Sequence, residues 1–91
     1  MDFKLTNQFK KDIQKLKREN PKHSSKVLDL IISIEKAGNQ TLSGIGQPEL
    51  LKRNLFGCYS RRISQKHRLI YRYIGQDKVS LISSFGHYDD K

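Results

Sequence analysis

Residues 59–85 read YSRRISQKHRLIYRYIGQDKVSLISSF, and they carry the strongest structural signal in the chain. Aromatic and β-branched residues dominate this stretch, as they do in strands. Two polar breaks, Gln65-Lys66 and Gly75-Gln76-Asp77, have the composition of tight turns. We therefore predict an antiparallel meander. The predicted strands cover residues 59–64, 67–74 and 79–85, and residues 49–54 are a candidate extension of the sheet.

The chain before Gly38 has helical periodicity instead. Apolar residues recur there at helical intervals, at Leu5, Phe9, Ile13 and Leu16. They predict an amphipathic helix over about residues 7–19, preceded by a short strand that contains Phe3 and Leu5. Asn20-Pro21 has the composition of an N-cap followed by proline at the first helical position. The second predicted helix begins there and ends at Gly38, where glycine can adopt a left-handed conformation.

Two helices followed by a run of strands predict an α+β domain. In this arrangement the two N-terminal helices pack on one face of a curved antiparallel sheet, and the opposite face is open. The chain has 91 residues without a repeat or linker, so we predict a single domain covering residues 1–91. The open face of the sheet is where we expect the functional site.

The net charge predicts a polyanionic partner. The sequence has 18 Lys and Arg against 9 Asp and Glu, which gives a formal charge of +9. Cys58 is the single cysteine, so the sequence predicts no intramolecular disulfide framework and no cysteine-based zinc site. We find no pattern of a signal peptide or of a membrane-spanning segment, so we expect a cytoplasmic protein with no membrane partner.

The basic residues of the second half form a block that only one carboxylate, Glu49, interrupts between Glu35 and Asp77. Arginine predominates in the predicted strands, and its planar group binds phosphate bidentately. Because nearby acids are too few to pair these arginines, we expect an RNA or DNA backbone as their counter-ion. The expected substrate-binding residues are Lys52, Arg53, Arg61 and Arg62.

The register of the first hairpin decides which arginines lie on the same face of the sheet. A two-residue turn at Gln65-Lys66 would place Arg61 opposite Ile70 and put Arg61, Arg68 and Arg72 on one face. Arg62 would then lie on the other face. A bulge would shift this register by one residue, and the sequence leaves both arrangements open.

The chemistry-bearing residues suit RNA cleavage without a metal. Nucleophile-elbow, zinc-ligand and phosphate-loop patterns are absent, and the histidines His23, His67 and His87 have no metal-ligand spacing, so no cofactor or metal is expected. An isolated glutamate, several arginines and a His-Tyr pair remain. Cleavage of RNA needs a base for the 2′-hydroxyl, a cation for the phosphorane and an acid for the leaving 5′-oxygen. A carboxylate, an arginine and a histidine can fill these roles.

Ordered motifs across residues 44–88 closely resemble the YoeB/Txe toxins of bacterial toxin–antitoxin systems, of the RelE superfamily. The motifs are Gly44-Ile45-Gly46-Gln47-Pro48-Glu49-Leu50-Leu51-Lys52, Asn54-Leu55, Gly57, Ser60-Arg61-Arg62-Ile63, His67-Arg68-Leu69-Ile70-Tyr71 and His87-Tyr88.

The resemblance implies a RelE-like fold and a ribosome-dependent mRNA endonuclease that acts on codons in the ribosomal A site. It also implies neutralisation by a YefM-type antitoxin, and a homodimer is left open. Carried over to this sequence, it implies that Glu49 is the general base, Arg68 the phosphate-stabilising cation and His87 the general acid. Tyr88 would orient the substrate or stack on it, and Arg62 would support the phosphate.

Two other function classes stay open at this point. A toxin of the same fold could inhibit a protein target, as ParE-like relatives do with gyrase, although such relatives lack the acid–base set. A noncatalytic RNA-binding module would bind RNA in a salt-sensitive way and leave it intact.

Overall fold

The structure is a computed structural model that describes residues 1–86, and residues 87–91 lie outside the described part. It contains two α-helices, five strands and a 3₁₀ turn within the described residues. In chain order they are β1 (Asp2–Leu5), α1 (Asn7–Glu19), α2 (Pro21–Ala37), β2 (Glu49–Leu50), the 3₁₀ turn (Arg53–Leu55), β3 (Tyr59–Arg62), β4 (Arg68–Gly75) and β5 (Lys78–Ser83).

Polar caps fix the ends of the two helices. The Thr6 hydroxyl accepts a hydrogen bond from the Phe9 N–H at 3.0 Å and so begins α1. Asn20 serves both helices, because its backbone N–H closes α1 on the Leu16 carbonyl at 2.8 Å and its side chain accepts from the Lys22 N–H at 3.1 Å. The predicted cap at Asn20 is confirmed. Gly38 has the positive φ, 56°, that favours glycine, but its ψ of -122° differs from that of the predicted left-handed helical conformation.

The sheet has the strand order β1-β5-β4-β3-β2. The last three strands form the predicted antiparallel meander, and β2 joins it antiparallel to β3. The first strand corrects the expectation of a wholly antiparallel sheet, because β1 pairs with β5 in parallel, with Phe3 opposite Val79. Helices α1 and α2 lead from β1 at one edge of the sheet to β2 at the other edge. The domain is therefore α+β with a mixed sheet.

The main core lies between the helices and one face of the sheet. Its fully buried centre consists of Leu16, Leu30, Ile34, Leu69 and Tyr71. Burying each aliphatic side chain of this kind contributes roughly 1.5–3 kcal/mol of transfer free energy. No helix within residues 1–86 is long and apolar enough to span a membrane.

A smaller cluster lies on the opposite face of the sheet. Leu51, Cys58 and Ile70 are buried there, with Leu55 packed against them. Only Glu49–Leu50 of the predicted 49–54 extension forms a strand, and the following residues turn back over the sheet through the 3₁₀ turn. Among residues 1–86, the face opposite the helices is thus partly covered near β2 and open near the beginning of β4.

Candidate active site

The pairing of β3 with β4 places two arginines directly opposite each other. Arg62 pairs with Arg68, and Arg61 pairs with Leu69. The register predicted from a two-residue turn is therefore wrong by one residue, although the shift arises without a bulge between β3 and β4. The reason is the wider turn: the N–H groups of Ile63 and Ser64 both donate to the His67 carbonyl, at 3.0 and 3.2 Å.

This register decides which arginines lie on the open face. Directly paired residues share a face, and residues two apart along a strand do too. Arg62, Arg68 and Arg72 therefore lie together on the face away from the helices, and Arg61 lies on the helix face. Like charges directly opposite each other destabilise a sheet, and none of these three arginines forms an ion pair within residues 1–86. Such a pair is typical of an anion-binding site.

The turn holds the Arg68 side chain in place. One terminal nitrogen, Nη1, donates to the carbonyls of Ser64 at 2.6 Å and His67 at 3.1 Å. Within the described chain, neither Nε nor Nη2 makes a hydrogen bond to a protein acceptor. Arg68 thus keeps donors for an anion while its position is fixed by the backbone of the turn.

Glu49 lies on the same face as the arginine pair. It is exposed on β2 opposite Ser60, which in turn pairs with Ile70 two residues along β4 from Arg68. Ordinary strand spacing and rise put the Glu49 and Arg68 Cα atoms roughly 12 Å apart. Both side chains are long, so the charged groups of Glu49 and Arg68 can act on a ligand bound at this face.

The structure corrects the expectation that Arg61 binds substrate, because its side chain is fully buried. Its Nε donates to the Tyr71 hydroxyl at 2.9 Å, and its Nη2 donates to the Ser43 carbonyl at 2.7 Å. Its Nη1 donates to the Ser33 hydroxyl at 3.0 Å and to the Ile45 carbonyl at 2.9 Å. Arg61 therefore ties the loop before Glu49 to the core, where no phosphate can reach it.

The glycines of the Gly44-Ile45-Gly46 motif make this loop possible. Both have positive φ, 104° at Gly44 and 85° at Gly46. A Cβ at Gly46 would lie 2.6 Å from Leu30 Cδ2 and 3.1 Å from Arg61 Cβ. The motif thus allows a close backbone approach to Arg61 and Leu30, which is a different use of glycine from cradling a phosphate.

Burial around Arg61 also affects its hydrogen-bond partner Tyr71. Desolvation raises the pKa of the Tyr71 hydroxyl to about 12, and the hydrogen bond and positive charge of Arg61 oppose that rise. Tyr71 therefore stays protonated at neutral pH and accepts from the guanidinium.

Further basic and apolar groups surround the open face. Lys52 and Arg53 are exposed at the 3₁₀ turn, and their expected role in substrate binding stays a prediction. Phe56, which follows that turn, is 76% exposed, and sequence reasoning missed it. An aromatic residue placed between basic residues and a glycine, Phe56-Gly57, is the signal that could have pointed to it. Exposed aromatic rings beside cationic groups suit stacking of unpaired bases.

The structure gathers three possible metal ligands that sequence spacing did not reveal. Donor atoms of Glu19, His23 and His67 lie within 4.8 Å of one another. Both ring nitrogens of His67 are already in hydrogen bonds, however, with Glu19 Oε1 at 2.9 Å and with the Gly86 N–H at 2.7 Å. The hydrogen bond from His67 is also the main reason why the pKa of Glu19 is lowered. The cluster is therefore arranged for hydrogen bonding rather than for holding a metal.

His67 is fully buried, so its side chain cannot contact phosphate. The predicted acid His87 and the predicted substrate-orienting Tyr88 lie outside the described residues. The described structure thus brings together Glu49, Arg62 and Arg68.

Comparisons with known proteins point to one group of toxins. A model of the YoeB-like toxin of bacterial type II toxin–antitoxin systems matches residues 5–88. Toxin YoeB from Mycobacterium bovis is 50% identical over 46 residues, which are 50% of this chain and 53% of that protein, so the match spans about half the length of the relative.

Two solved structures from Staphylococcus aureus have the same fold. One is the heterotetrameric YoeB–YefM toxin–antitoxin complex, with a TM-score of 0.81, 35% identity and coverage of 97% of this chain and 98% of that chain. The other is the YoeB dimer, with a TM-score of 0.82, 35% identity and the same coverage of 97% and 98%.

Proposed function

The chain belongs to the YoeB-like toxin family of bacterial type II toxin–antitoxin systems, and we propose that it is an endoribonuclease that cleaves mRNA in the A site of the 70S ribosome. The observation that carries the proposal is the Arg62–Arg68 pair on the open face. The two like charges oppose each other, neither forms an ion pair within residues 1–86, and Glu49 lies on the same face. A scissile phosphate neutralises the pair and brings the ribose next to it within reach of a base.

The proposed reaction needs three groups. Glu49 takes the proton of the ribose 2′-hydroxyl, and the 2′-oxygen attacks phosphorus. Arg68, supported by Arg62, stabilises the negative charge that builds on the non-bridging oxygens. The bond from phosphorus to the 5′-oxygen breaks, and His87 donates a proton to that oxygen. The products are a 2′,3′-cyclic phosphate and a 5′-hydroxyl.

Other residues bind the message. Lys52 and Arg53 contact neighbouring phosphates, and Tyr88 orients the nucleotide or stacks on it. Arg61 is not in this set, because it is buried in the core. The open face has charge for affinity but few groups for reading base edges, so the ribosome supplies an aligned and unpaired message. We place this activity in the cytoplasm, where translation occurs.

Single-turnover cleavage on programmed ribosomes tests the proposal. Glu49→Gln removes the base but keeps the side-chain shape, so we expect a cleavage rate about 10²–10⁴-fold lower. We expect His87→Ala to show a similar loss, since it removes the acid. Ribosome co-sedimentation should hardly change, because nearly all of the positive charge remains. Lys11→Ala, an exposed change on α1, is the matched control and should cleave normally.

Four results would contradict the proposal. Full cleavage by Glu49→Gln would show that Glu49 is not the general base. Equal cleavage without ribosomes would show that the activity does not depend on the ribosome. Gyrase inhibition without RNA scission would favour the ParE-like alternative. RNA that is bound in a salt-sensitive manner and stays intact would favour a noncatalytic module.

We also propose a YefM-type antitoxin as partner. The S. aureus relative is solved with YefM, and a surface of +9 favours an acidic segment that folds on binding. The S. aureus dimer supports a homodimer as a second assembly. Co-purification with the product of the neighbouring gene tests the first assembly, and sedimentation equilibrium tests the second. A neighbour that neither binds nor relieves growth arrest would contradict the antitoxin proposal.

A further inference from the structure

Side chains from elsewhere in the fold hold the segment just before residue 87. The Ser84 N–H donates to Asp12 Oδ2 at 2.9 Å, and the Gly86 N–H donates to His67 Nδ1 at 2.7 Å. The Gly86 carbonyl accepts from the backbone N–H of Arg68 at 3.1 Å. Asp12 is 3% exposed and His67 is fully buried, so water competes poorly for these bonds.

The contacts of His67 assign its protonation. Because Nδ1 accepts from the Gly86 N–H, that nitrogen carries a lone pair and the proton of the neutral ring is on Nε2. Nε2 then donates to Glu19 Oε1 at 2.9 Å. The carboxylate at the end of α1 thus fixes the ring in the tautomer that can hold Gly86.

Packing strengthens the same arrangement. The Phe85 ring lies against the His67 ring with centroids 4.4 Å apart. The ammonium groups of Lys15 and Lys66 lie 5.5 and 5.9 Å from the Phe85 centroid. Both polar groups of Gly86 and the side chain of Phe85 are therefore engaged immediately before residue 87.

We propose that His67, oriented by Glu19, is a positioning residue: it fixes the Gly86 N–H and thereby sets where His87 begins relative to Arg68. This inference rests on the proposed function for its catalytic consequence. Gly86 donates to the side chain of His67 and accepts from the backbone N–H of Arg68, so the residue before His87 is hydrogen-bonded directly to the strand that carries Arg68. A general acid loses much of its effect when it is displaced by about 1 Å.

Two substitutions of His67 separate its two hydrogen bonds. In His67→Asn the amide oxygen can occupy the position of Nδ1 and accept from Gly86, but the side chain is too short for Glu19. In His67→Gln the amide can reach Glu19, but Gly86 loses its acceptor. We expect cleavage by His67→Gln to fall about 10²-fold and cleavage by His67→Asn to stay within about 3-fold of wild type. Ribosome affinity should be the same in both variants.

Amide hydrogen exchange at Gly86 gives a readout that does not depend on activity. The Gly86 amide should be protected in the wild type and in His67→Asn, and should exchange at least about 10-fold faster in His67→Gln. Glu19→Ala, an exposed change that leaves the core intact, provides a further variant in case both His67 variants unfold. It should loosen the ring and lower protection and cleavage together.

Each outcome decides one claim. Unchanged protection of the Gly86 amide in His67→Gln would show that His67 does not hold the Gly86 N–H. If only Glu19→Ala folds, unchanged protection in that variant would show the same. Lost protection with an unchanged cleavage rate would overturn the positioning role. Equal loss of cleavage in the Asn and Gln variants would reduce His67 to a structural residue. A wild-type protein that protects the Gly86 amide but never cleaves RNA on ribosomes would refute the proposed function. It would leave the hydrogen bond from Gly86 to His67 confirmed.

Discussion

Arg61 and Arg62 are neighbours in β3, yet their side chains have opposite surroundings. Arg61 is fully buried on the helix face, where neutral oxygens of Ser33, Ser43, Ile45 and Tyr71 accept all of its described hydrogen bonds. Arg62 is exposed on the open face opposite Arg68. The same residue type thus organises a loop at one position and presents charge at the next, and strand alternation is the whole difference.

The largest effect is expected when the buried arginine, Arg61, is replaced. Arg61→Met keeps an apolar side chain in the core but leaves the buried Tyr71 hydroxyl and three partly buried oxygen acceptors without their donor. We expect the free energy of unfolding to fall by about 3–5 kcal/mol, since each buried unsatisfied group costs about 1–3 kcal/mol and the loop relaxes only in part. Urea denaturation of the purified variant measures this loss.

Arg62→Met is the matched control for Arg61→Met. Its stability should stay within about 0.5 kcal/mol of wild type, because an exposed change removes no buried contact and relieves the repulsion with Arg68. Its cleavage on ribosomes should nevertheless fall, since a phosphate contact is lost. A large loss of stability in Arg62→Met, or none in Arg61→Met, would contradict the assignment of the two faces.

A smaller effect is expected in the loop that Arg61 holds. Gly46→Ala places a Cβ against Leu30 and Arg61, and we expect it to cost about 1–3 kcal/mol more than Gly38→Ala. Gly38 also has positive φ, but no atom lies within 4 Å of its added Cβ, so this control shares the backbone strain without the clash. Thermal unfolding of the two variants measures the difference. Equal losses would show that the loop does not need a close approach there.

The smallest expected effect is a dependence of stability on pH that comes from Tyr71, the buried partner of Arg61. Burial raises the pKa of Tyr71 to about 12, so the folded protein holds this proton more tightly than the unfolded chain does. The corresponding contribution to stability is complete below pH 10 and is lost as the pH rises through about 12. Tyrosinate absorbance should show a late-titrating component that Tyr71→Phe removes. Ordinary titration of every tyrosine would contradict the burial of the Arg61–Tyr71 pair.

The sequence predicts most of the fold because its signals there are local. Helical spacing, the Asn20-Pro21 cap and the polar breaks of the meander each depend on a few neighbouring residues. The parallel pairing of β1 with β5 was not predictable in the same way, since four residues at one end of the chain carry no information about their partner.

The candidate site also contains features that the sequence predicts and features that depend on the folded structure. Glu49, Arg62 and Arg68 could be chosen from residue chemistry and motif resemblance, and the structure places all three on the open face. The burial of Arg61 could not be foreseen, because it depends on a one-residue register that a wider turn sets. The approach of Glu19, His23 and His67 depends on helix packing and leaves no spacing pattern in the chain.

The parallel pairing of the first and last strands has a consequence for how the domain is synthesised. Strand β1 is synthesised before the other four strands, but its partner β5 begins at Lys78, so residues 2–5 cannot pair until that later segment has been made. Pairing between such distant segments is also slow to form. A nascent chain therefore cannot complete its five-stranded sheet until residues 78–83 have been synthesised, whereas the strands that carry Glu49, Arg62 and Arg68 are made before then.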